Sequence, residues 1–210
     1  MSTLRTPLGQ RLITAFIGIP ILFGLLWYNG PLLILTIAAV FCLSLWEFRK
    51  LFLPKLWASY AFAGVMLIGF YSLFKICYGE DVFLRAIVLF AVVFGSDTFA
   101  FVFGKNLKGP KIAPKISPNK TWSGLLGAVI APVIVLHLAF SPDNIIIFTL
   151  FAGLLGVIGQ AGDFLESYLK RQAGVKDSGT LLPGHGGILD RIDALLVISP
   201  LMLIFYTYVI

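Results

Sequence analysis

Long apolar runs alternate with short polar segments along almost the whole chain. A helix that crosses a bilayer needs about 20 mostly apolar residues, and seven runs approach that length. They cover residues 12–28, 31–48, 56–74, 82–103, 122–140, 144–160 and 192–210. Turn-forming residues separate the first two runs at 29–31 and the fifth and sixth at 141–144. The pattern predicts an all-α, polytopic transmembrane protein of about seven spans.

The distribution of Lys and Arg predicts how these spans are oriented. With a cytoplasmic N-terminus, segments 1–11, 49–55, 104–121 and 161–191 lie inside and together carry 14 of the 16 basic residues. Cytoplasmic loops of membrane proteins are enriched in Lys and Arg. We therefore expect a cytoplasmic N-terminus, an external C-terminus and residence in the cell inner membrane. Both long polar segments then face the cytoplasm, where nucleotides are found.

Composition favours one integral-membrane domain over residues 1–210. The chain is 59% hydrophobic and 12% charged, with a mean hydropathy of +0.95, which leaves no soluble domain of useful size. The net charge of +6 fits loops beside anionic lipid headgroups and not a nucleic-acid-binding surface. The first run lacks a small-residue cleavage site, so we expect a retained span and not a removed signal peptide. Residues 1–90 carry no recognised motif, and the polar chemistry falls within 91–210.

Two polar places precede the fifth run. Asp97 stands toward the cytoplasmic end of the fourth run, where a carboxylate needs a partner, water or a cation; it is either an interhelical packing residue or part of a site. Segment 104–121 spaces five lysines among three prolines without one acid, which favours a stiff irregular loop suited to phosphate groups. Charge flanking a span accounts for the first three lysines. Ser117, Lys120 and Thr121, close to the next span, are candidates to contact a substrate.

The sixth run is predicted to continue beyond the membrane as a polar helix. Four residues fall at i, i+3, i+4 and i+7 on one face of it, namely Asp163, Glu166, Ser167 and Lys170. For Glu166, an exposed i,i+4 pair with Lys170 is the favoured interpretation. Farther on, Gly186 and Gly187 allow backbone amides to approach an anion. His185 beside them is more typical of a loop hydrogen bond than of a metal ligand.

Acids and bases are concentrated before the last run. Asp190 and Asp193 stand at i, i+3 on its entry. The nearby bases are Lys170, Arg171, Lys176 and Arg191. Carboxylates bind a hard cation such as Mg²⁺, and the cation and bases neutralise phosphate charge. The cluster indicates phosphoryl or nucleotidyl transfer, with charges clustered for topology alone as the alternative.

The spacing of these residues resembles the pattern of phosphatidate cytidylyltransferases, also called CDP-diacylglycerol synthases. The matching string is Ser167-x-x-Lys170-Arg171-x-x-x-x-Lys176-Asp177-x-x-x-x-Leu182-Pro183-Gly184-His185-Gly186-Gly187-x-x-Asp190-Arg191-x-Asp193. Shorter matches precede it at 96–98, 117–124 and 162–167. A match of that length with fixed gaps is far more specific than a short glycine motif. Ser123 stands where the family pattern has an acid.

Membership of that family implies a reaction of CTP with phosphatidate to give CDP-diacylglycerol and pyrophosphate, with Mg²⁺ as cofactor and a second metal ion left open. The implied catalytic residues are Asp163, Asp190, Lys170, Arg191 and Asp193. The implied metal ligands are Asp163 and Asp190, with Asp97 as a third. The implied substrate contacts are Ser117, Lys120, Thr121, Ser167, Arg171, Lys176, Asp177, His185, Gly186 and Gly187. The implied partners are CTP, phosphatidate and the bilayer at a site facing the cytoplasm, with no nucleic acid and a homodimer left open.

Two other kinds of protein stay open on the sequence. A CTP-dependent polyprenol or lipid kinase, or a cytidylyltransferase acting on another lipid phosphate, would use similar groups. A membrane transporter would place Asp97 in its pathway, and it predicts charges within several spans. The interiors of the other spans are nearly free of charge, which counts against a transporter.

Overall fold

Helices make up most of the chain. The computed structural model describes residues 7–79, 81–181 and 186–209. Its helices are α1 (Pro7–Tyr28), α2 (Pro31–Leu51), α3 (Trp57–Ile76), α4 (Val82–Asn106), α5 (Trp122–Ala139), α6 (Ile145–Gln172) and α7 (Leu189–Tyr208). Two short strands, β1 (Lys111–Ala113) and β2 (Ser117–Thr121), pair antiparallel between α4 and α5. Each predicted apolar run overlaps one of these helices, so the mostly helical fold is confirmed.

Several of the helices are suited to a membrane. Within the described residues, α2 to α6 are long and apolar enough to cross a bilayer, and the apolar part of α1, Phe16–Tyr28, is shorter. Large apolar side chains project outward, among them Leu138 at 83% exposure and Leu150 at 69%. Apolar patches of this extent are rare on proteins that face water. The chain is a multi-pass membrane protein.

α6 is longer than a bilayer requires. Its 28 residues extend about 42 Å at 1.5 Å per residue, whereas the hydrocarbon core is roughly 30 Å thick. The last turns, after the apolar run 144–160, therefore continue as a polar helix, as the sequence predicts.

The segment predicted as an irregular basic loop forms a β-hairpin. Lys111 pairs with Thr121 and Ala113 with Ser117, and the amide of Trp122 donates to Pro110 O at 3.1 Å. Both strands of a two-stranded sheet are edge strands, which tolerate proline because one side of each needs no ladder hydrogen bond. The hairpin leads directly into α5 and so fixes where that helix begins.

Small residues bring the helix backbones into close contact. A Cβ atom at Gly127 of α5 would overlap the Phe99 carbonyl of α4, and Ser96 Oγ donates to Ala128 O at 2.9 Å. Small residues and short hydroxyl hydrogen bonds are typical of helix contacts in membranes. They hold α4 against α5, and thus Asp97 near the end of the hairpin.

A glycine and a serine hydroxyl likewise join α3 to α7. Gly69 lies against the backbone of Leu196, and Ser199 Oγ donates to Gly69 O at 3.0 Å. Apolar side chains from α2, α3, α6 and α7, among them Phe62 and Leu196, fill the core nearby. α7 is therefore held on the α3 side, with its first turn beside the polar end of α6.

Candidate active site

The polar face of α6 forms one side of the site. Ser167 Oγ donates to Asp163 Oδ1 at 3.2 Å, and Lys170 Nζ donates to Glu166 Oε2 at 2.9 Å. The spacing of these residues thus does produce one aligned stripe. The expectation that Glu166 forms an exposed pair is wrong, because Glu166 has no exposed surface. Packing against α7 covers Glu166, which a sequence pattern on one helix does not reveal.

Lys170 joins α6 to the start of α7. Its Nζ lies 2.7 Å from Asp190 Oδ1 as well as 2.9 Å from Glu166 Oε2. The Asp190 carboxylate also accepts the amides of Ser178 at 3.0 Å and Gly187 at 2.8 Å. Burial alone would raise the pKa of Asp190, but the hydrogen bonds from Lys170, Gly187 and Ser178 lower it below its ordinary value. Asp190 is therefore a fixed anion at neutral pH.

The hairpin supplies a second ion pair. Lys120 Nζ, at the end of β2, lies 2.6 Å from Asp163 Oδ2 and 4.5 Å from the centre of the Phe164 ring. Arg171 Nε donates to the carbonyl of Ile116 in the hairpin turn at 3.3 Å. Two contacts thus hold the hairpin against α6. The ammonium group of Lys120 from the hairpin and that of Lys170 from α6 itself therefore lie at two levels along this helix.

Further charges lie close to this face. Asp97 on α4 interacts electrostatically with Asp163, Lys120 and Arg191. Asp193 on α7 interacts with Glu166, Asp163 and Asp97. Carboxylates from three helices therefore share one region, and basic side chains from β2, α6 and α7 balance part of their charge.

An apolar cavity of about 710 Å³ reaches this charged region. Its walls are mostly aliphatic and aromatic side chains of α1, α2, α3, α4 and α7, such as Leu22, Leu33 and Phe94. Asp97, Thr98 and Arg191 also line it. The cavity therefore joins a hydrocarbon-lined space to groups able to bind a charged headgroup.

Comparison with known proteins identifies the family. The model of the family described as "Cytidylyltransferase family" matches residues 53–209. The chain belongs to the cytidylyltransferase family. It is 41% identical over 197 residues to a phosphatidate cytidylyltransferase of Brucella abortus biovar 1 (strain 9-941), covering 88% of this chain and 73% of that protein. A phosphatidate cytidylyltransferase of Rickettsia felis is 34% identical over 205 residues, covering 91% of this chain and 89% of that protein.

In this cytidylyltransferase-family chain, two glycines of the motif lie against the carboxylate of Asp190. The amide of Gly187, predicted to approach a substrate anion, is bonded to the Asp190 carboxylate. Gly186 adopts φ +88°, which favours glycine, and a Cβ there would lie 2.9 Å from Asp190 Oδ2. The motif glycines thus let the backbone surround a carboxylate of the protein itself. His185 lies outside the described residues.

The other predicted substrate contacts have different surroundings. Thr121 is buried and caps α5, since its Oγ1 accepts the amide of Gly124 at 3.1 Å; its position directly before a helix has this structural reason. Ser117 is half-buried in β2, and Lys176 and Asp177 are exposed on the loop after α6. Their contact with a substrate stays a prediction.

Two of the three predicted Mg²⁺ ligands, Asp163 and Asp190, lie in separate ion pairs. Asp163 pairs with Lys120, and Asp190 with Lys170. Among the described residues, no group of three or more Asp, Glu, His or Cys side chains stands ready to hold a metal ion. The donors nevertheless suit a hard cation, because they are carboxylate oxygens, and Glu166 Oε1 is buried with no hydrogen-bond partner in the part of the chain that the structure describes. Mg²⁺ binding stays a prediction that the chemistry of this region fits.

Sequence reasoning missed Glu47. It lies within the second apolar run, yet it is fully buried, and its carboxylate accepts hydrogen bonds from Ser178, Ile188 and Leu189. Because Arg49 and Lys50 follow it closely in the sequence, Glu47 resembles one of the charged residues that commonly flank the end of a membrane span. An acid inside an otherwise apolar run was the one signal available.

Proposed function

We propose that this chain is a phosphatidate cytidylyltransferase, which converts CTP and phosphatidate to CDP-diacylglycerol and pyrophosphate. One observation carries the proposal: an apolar cavity reaches Arg191 and Asp97, beside a charged face with two lysine–carboxylate pairs. A lipid phosphate needs such an apolar space next to cations. The names of the Brucella and Rickettsia relatives support the same activity.

The reaction asks little covalent chemistry of the protein. An oxygen of the phosphatidate phosphate attacks the α-phosphorus of CTP, and the bond from that phosphorus to the β-phosphate oxygen breaks, releasing pyrophosphate. Phosphate monoesters have a second pKa of about 6, so the attacking group is already anionic near neutral pH. Catalysis then rests on positioning and on neutralising negative charge.

The bases of the site suit that task. Lys120 and Lys170 each carry an ammonium group with three donors, which can bond a phosphate oxygen beside a carboxylate. Arg191 at the end of the cavity has the planar fork that binds phosphate in a bidentate manner. We assign Arg191 to the lipid phosphate and the two lysines to the phosphates of CTP.

We infer that Asp163 and Asp190 hold Mg²⁺, with Asp97 as a third ligand and a second ion left open. The bound ion would neutralise charge on the polyphosphate and on the leaving pyrophosphate. Asp163 lies between Lys120 and Ser167, which hold its carboxylate in one orientation. These two contacts therefore set the direction in which the Asp163 oxygen atoms face a bound cation.

The orientation in the membrane follows from charge. We propose seven spans in the inner membrane, with the N-terminus and the site on the cytoplasmic side. The 14 basic residues of the four segments assigned to that side support it. CTP is a cytoplasmic metabolite and phosphatidate a bilayer lipid, so a site on that surface meets both.

The test is an assay of purified protein in detergent with phosphatidate, CTP and Mg²⁺. We expect pyrophosphate and a cytidine-containing lipid in equal amounts, and neither product when the metal is chelated. Release of CDP with a newly phosphorylated lipid would identify a kinase instead. A folded preparation that forms no product with any lipid phosphate or divalent metal would overturn the proposal.

A further inference from the structure

Glu47, near the C-terminal end of α2, connects that helix to the segment before α7. The residue has no exposed surface. Ser178 Oγ donates to Glu47 Oε2 at 3.0 Å, Leu189 N to the same oxygen at 2.9 Å, and Ile188 N to Oε1 at 3.1 Å. A buried carboxylate is costly unless its oxygens accept hydrogen bonds, and these three donors meet that need.

One donor to Glu47, Ser178, also binds Asp190, and the other two, Ile188 and Leu189, lie in the chain between Gly187, which binds Asp190, and Asp190 itself. Ser178 donates its hydroxyl to Glu47 and its amide to Asp190. The amide of Gly187 bonds Asp190, and the next two amides along the chain bond Glu47. Ser178, Gly187 and the start of α7 are thus held between two carboxylates.

Two glycines make this close approach possible. A Cβ at Gly179 would overlap Glu47 Oε1, and one at Gly187 would lie 2.6 Å from Glu47 Oε2. Contacts of that length are far below an ordinary van der Waals separation, so any side chain at either position would push the backbone away. Glycine at both positions therefore lets the backbone come close enough to contact the Glu47 carboxylate.

We propose that Glu47 is a positioning residue for the active site. It acts through Ser178 and the amides of the first turn of α7, which fix Asp190 and, through Asp190, the ammonium group of Lys170. The proposal rests on the proposed function for its effect on turnover. Glu47 lies upstream of residues 53–209, the part that the family model matches.

The main test is Glu47→Gln. The amide keeps the size of the side chain but replaces one acceptor oxygen with an NH₂ donor, which then faces an N–H or O–H donor. A lost hydrogen bond to a charged group corresponds to about a 10- to 100-fold loss in kcat. We expect that loss with little change in KM, because Glu47 would affect the alignment of the site more than the binding of either substrate.

Hydrogen exchange supplies a readout that needs no activity. In Glu47→Gln, we expect faster amide exchange in peptides covering 177–190, because the donors lose their acceptor. Ser199→Ala is the matched control, since it removes an equally buried hydrogen bond of α7, to Gly69 O at 3.0 Å. That variant should leave kcat and the exchange of 177–190 as in the wild-type protein.

A double variant separates positioning from general damage. If Glu47 acts through Asp190, then Glu47→Gln combined with Asp190→Asn should lose no more activity than Asp190→Asn alone. Additive losses would overturn the proposal, and so would unchanged exchange in Glu47→Gln. Should Glu47→Gln fail to fold, Ser178→Ala removes one of the three hydrogen bonds and is judged by the same criteria.

The two proposals fail in different ways. A wild-type protein that forms no cytidine lipid contradicts the proposed function, while exchange in 177–190 still decides whether Glu47 holds this segment. An active wild-type protein whose exchange is indifferent to Glu47→Gln contradicts the positioning role alone.

Discussion

Lys170 has two ionic contacts, one within its own helix and one to the next. Its partners Glu166 and Asp190 are both largely buried, so water screens these charges far less than it would at a surface. Removing one charge of such a group leaves the others without compensation, which costs more than the intact pair contributes. Lys170 therefore affects both the charge balance of the site and the stability of the protein.

Lys170→Met should destabilise the protein strongly. Two carboxylates would remain buried beside each other, and breaking a buried ion pair in this way costs about 3–5 kcal/mol. Equilibrium unfolding in mixed detergent micelles measures the change in the free energy of unfolding. Lys176→Met, at an exposed position, is the control and should alter the free energy of unfolding by less than about 0.5 kcal/mol. Equal effects of the two substitutions would contradict the buried role.

Asp190→Asn should reduce turnover at least ~100-fold, because charge stabilisation at a reacting phosphate is worth several kcal/mol. The asparagine keeps the shape but loses the negative charge that holds Lys170 and that we propose to bind Mg²⁺. Single-turnover formation of cytidine lipid measures the effect. Near-normal activity would remove Asp190 from the site.

At the scale of elements, glycines set the distances between helices. Gly127 lets α5 approach the Phe99 carbonyl of α4, and Gly156 lets α6 approach the Ala128 carbonyl of α5. These two contacts pack α4 against α5 and α5 against α6. They thereby fix the relative positions of Asp97, the hairpin and Asp163. A change of about one ångström in this stack can cost a large factor in rate even far from the reacting atoms.

Gly127→Ala should destabilise the protein by about 1–3 kcal/mol, the usual cost of overpacking. The control is Gly64→Ala in α3, where, beyond the neighbouring backbone of α3 itself, no described residue has an atom within 4 Å of the added Cβ. There the substitution should be neutral or slightly stabilising, because alanine favours helix. The same unfolding experiment compares them, and a harmless Gly127→Ala would show that α4 and α5 do not depend on this contact.

The sequence predicts the helices better than the contacts between them. Apolar runs locate all seven described helices, five of which are long and apolar enough to cross a bilayer, and the 3.6-residue period aligns the face of α6. The hairpin escapes prediction because its strands are short and contain Pro118, which local propensity disfavours. The pair Lys170–Asp190 and the bonds of Glu47 join residues 20 to 142 positions apart. Such pairs depend on the packing of whole helices, which a periodic pattern does not specify.

At the scale of the whole molecule, the cavity and the charged face meet at α4 and α7. One end of this arrangement is hydrocarbon and the other is ionic, which matches the two ends of a lipid phosphate. The orientation we propose places the ionic end toward the cytoplasm.

Cysteine labelling tests that orientation. In a background with Cys42→Ser and Cys77→Ser, a single cysteine replaces Asn29, in the turn before α2, or Lys115, in the hairpin turn. Both positions are exposed. A membrane-impermeant maleimide should label Asn29→Cys in right-side-out vesicles and Lys115→Cys only after lysis, because basic loops stay inside. The reverse result would invert the topology.

The bonds of Glu47 also have a consequence for biosynthesis. Glu47 is made 141 residues before Ile188, which at about 5–20 residues per second is a delay on the order of ten seconds. During that interval α2 carries a carboxylate whose amide donors have not yet been synthesised. The C-terminal half of α2 therefore reaches its final packing only when α7 arrives, and a nascent chain that stops before Ser178 retains a carboxylate without these three donors.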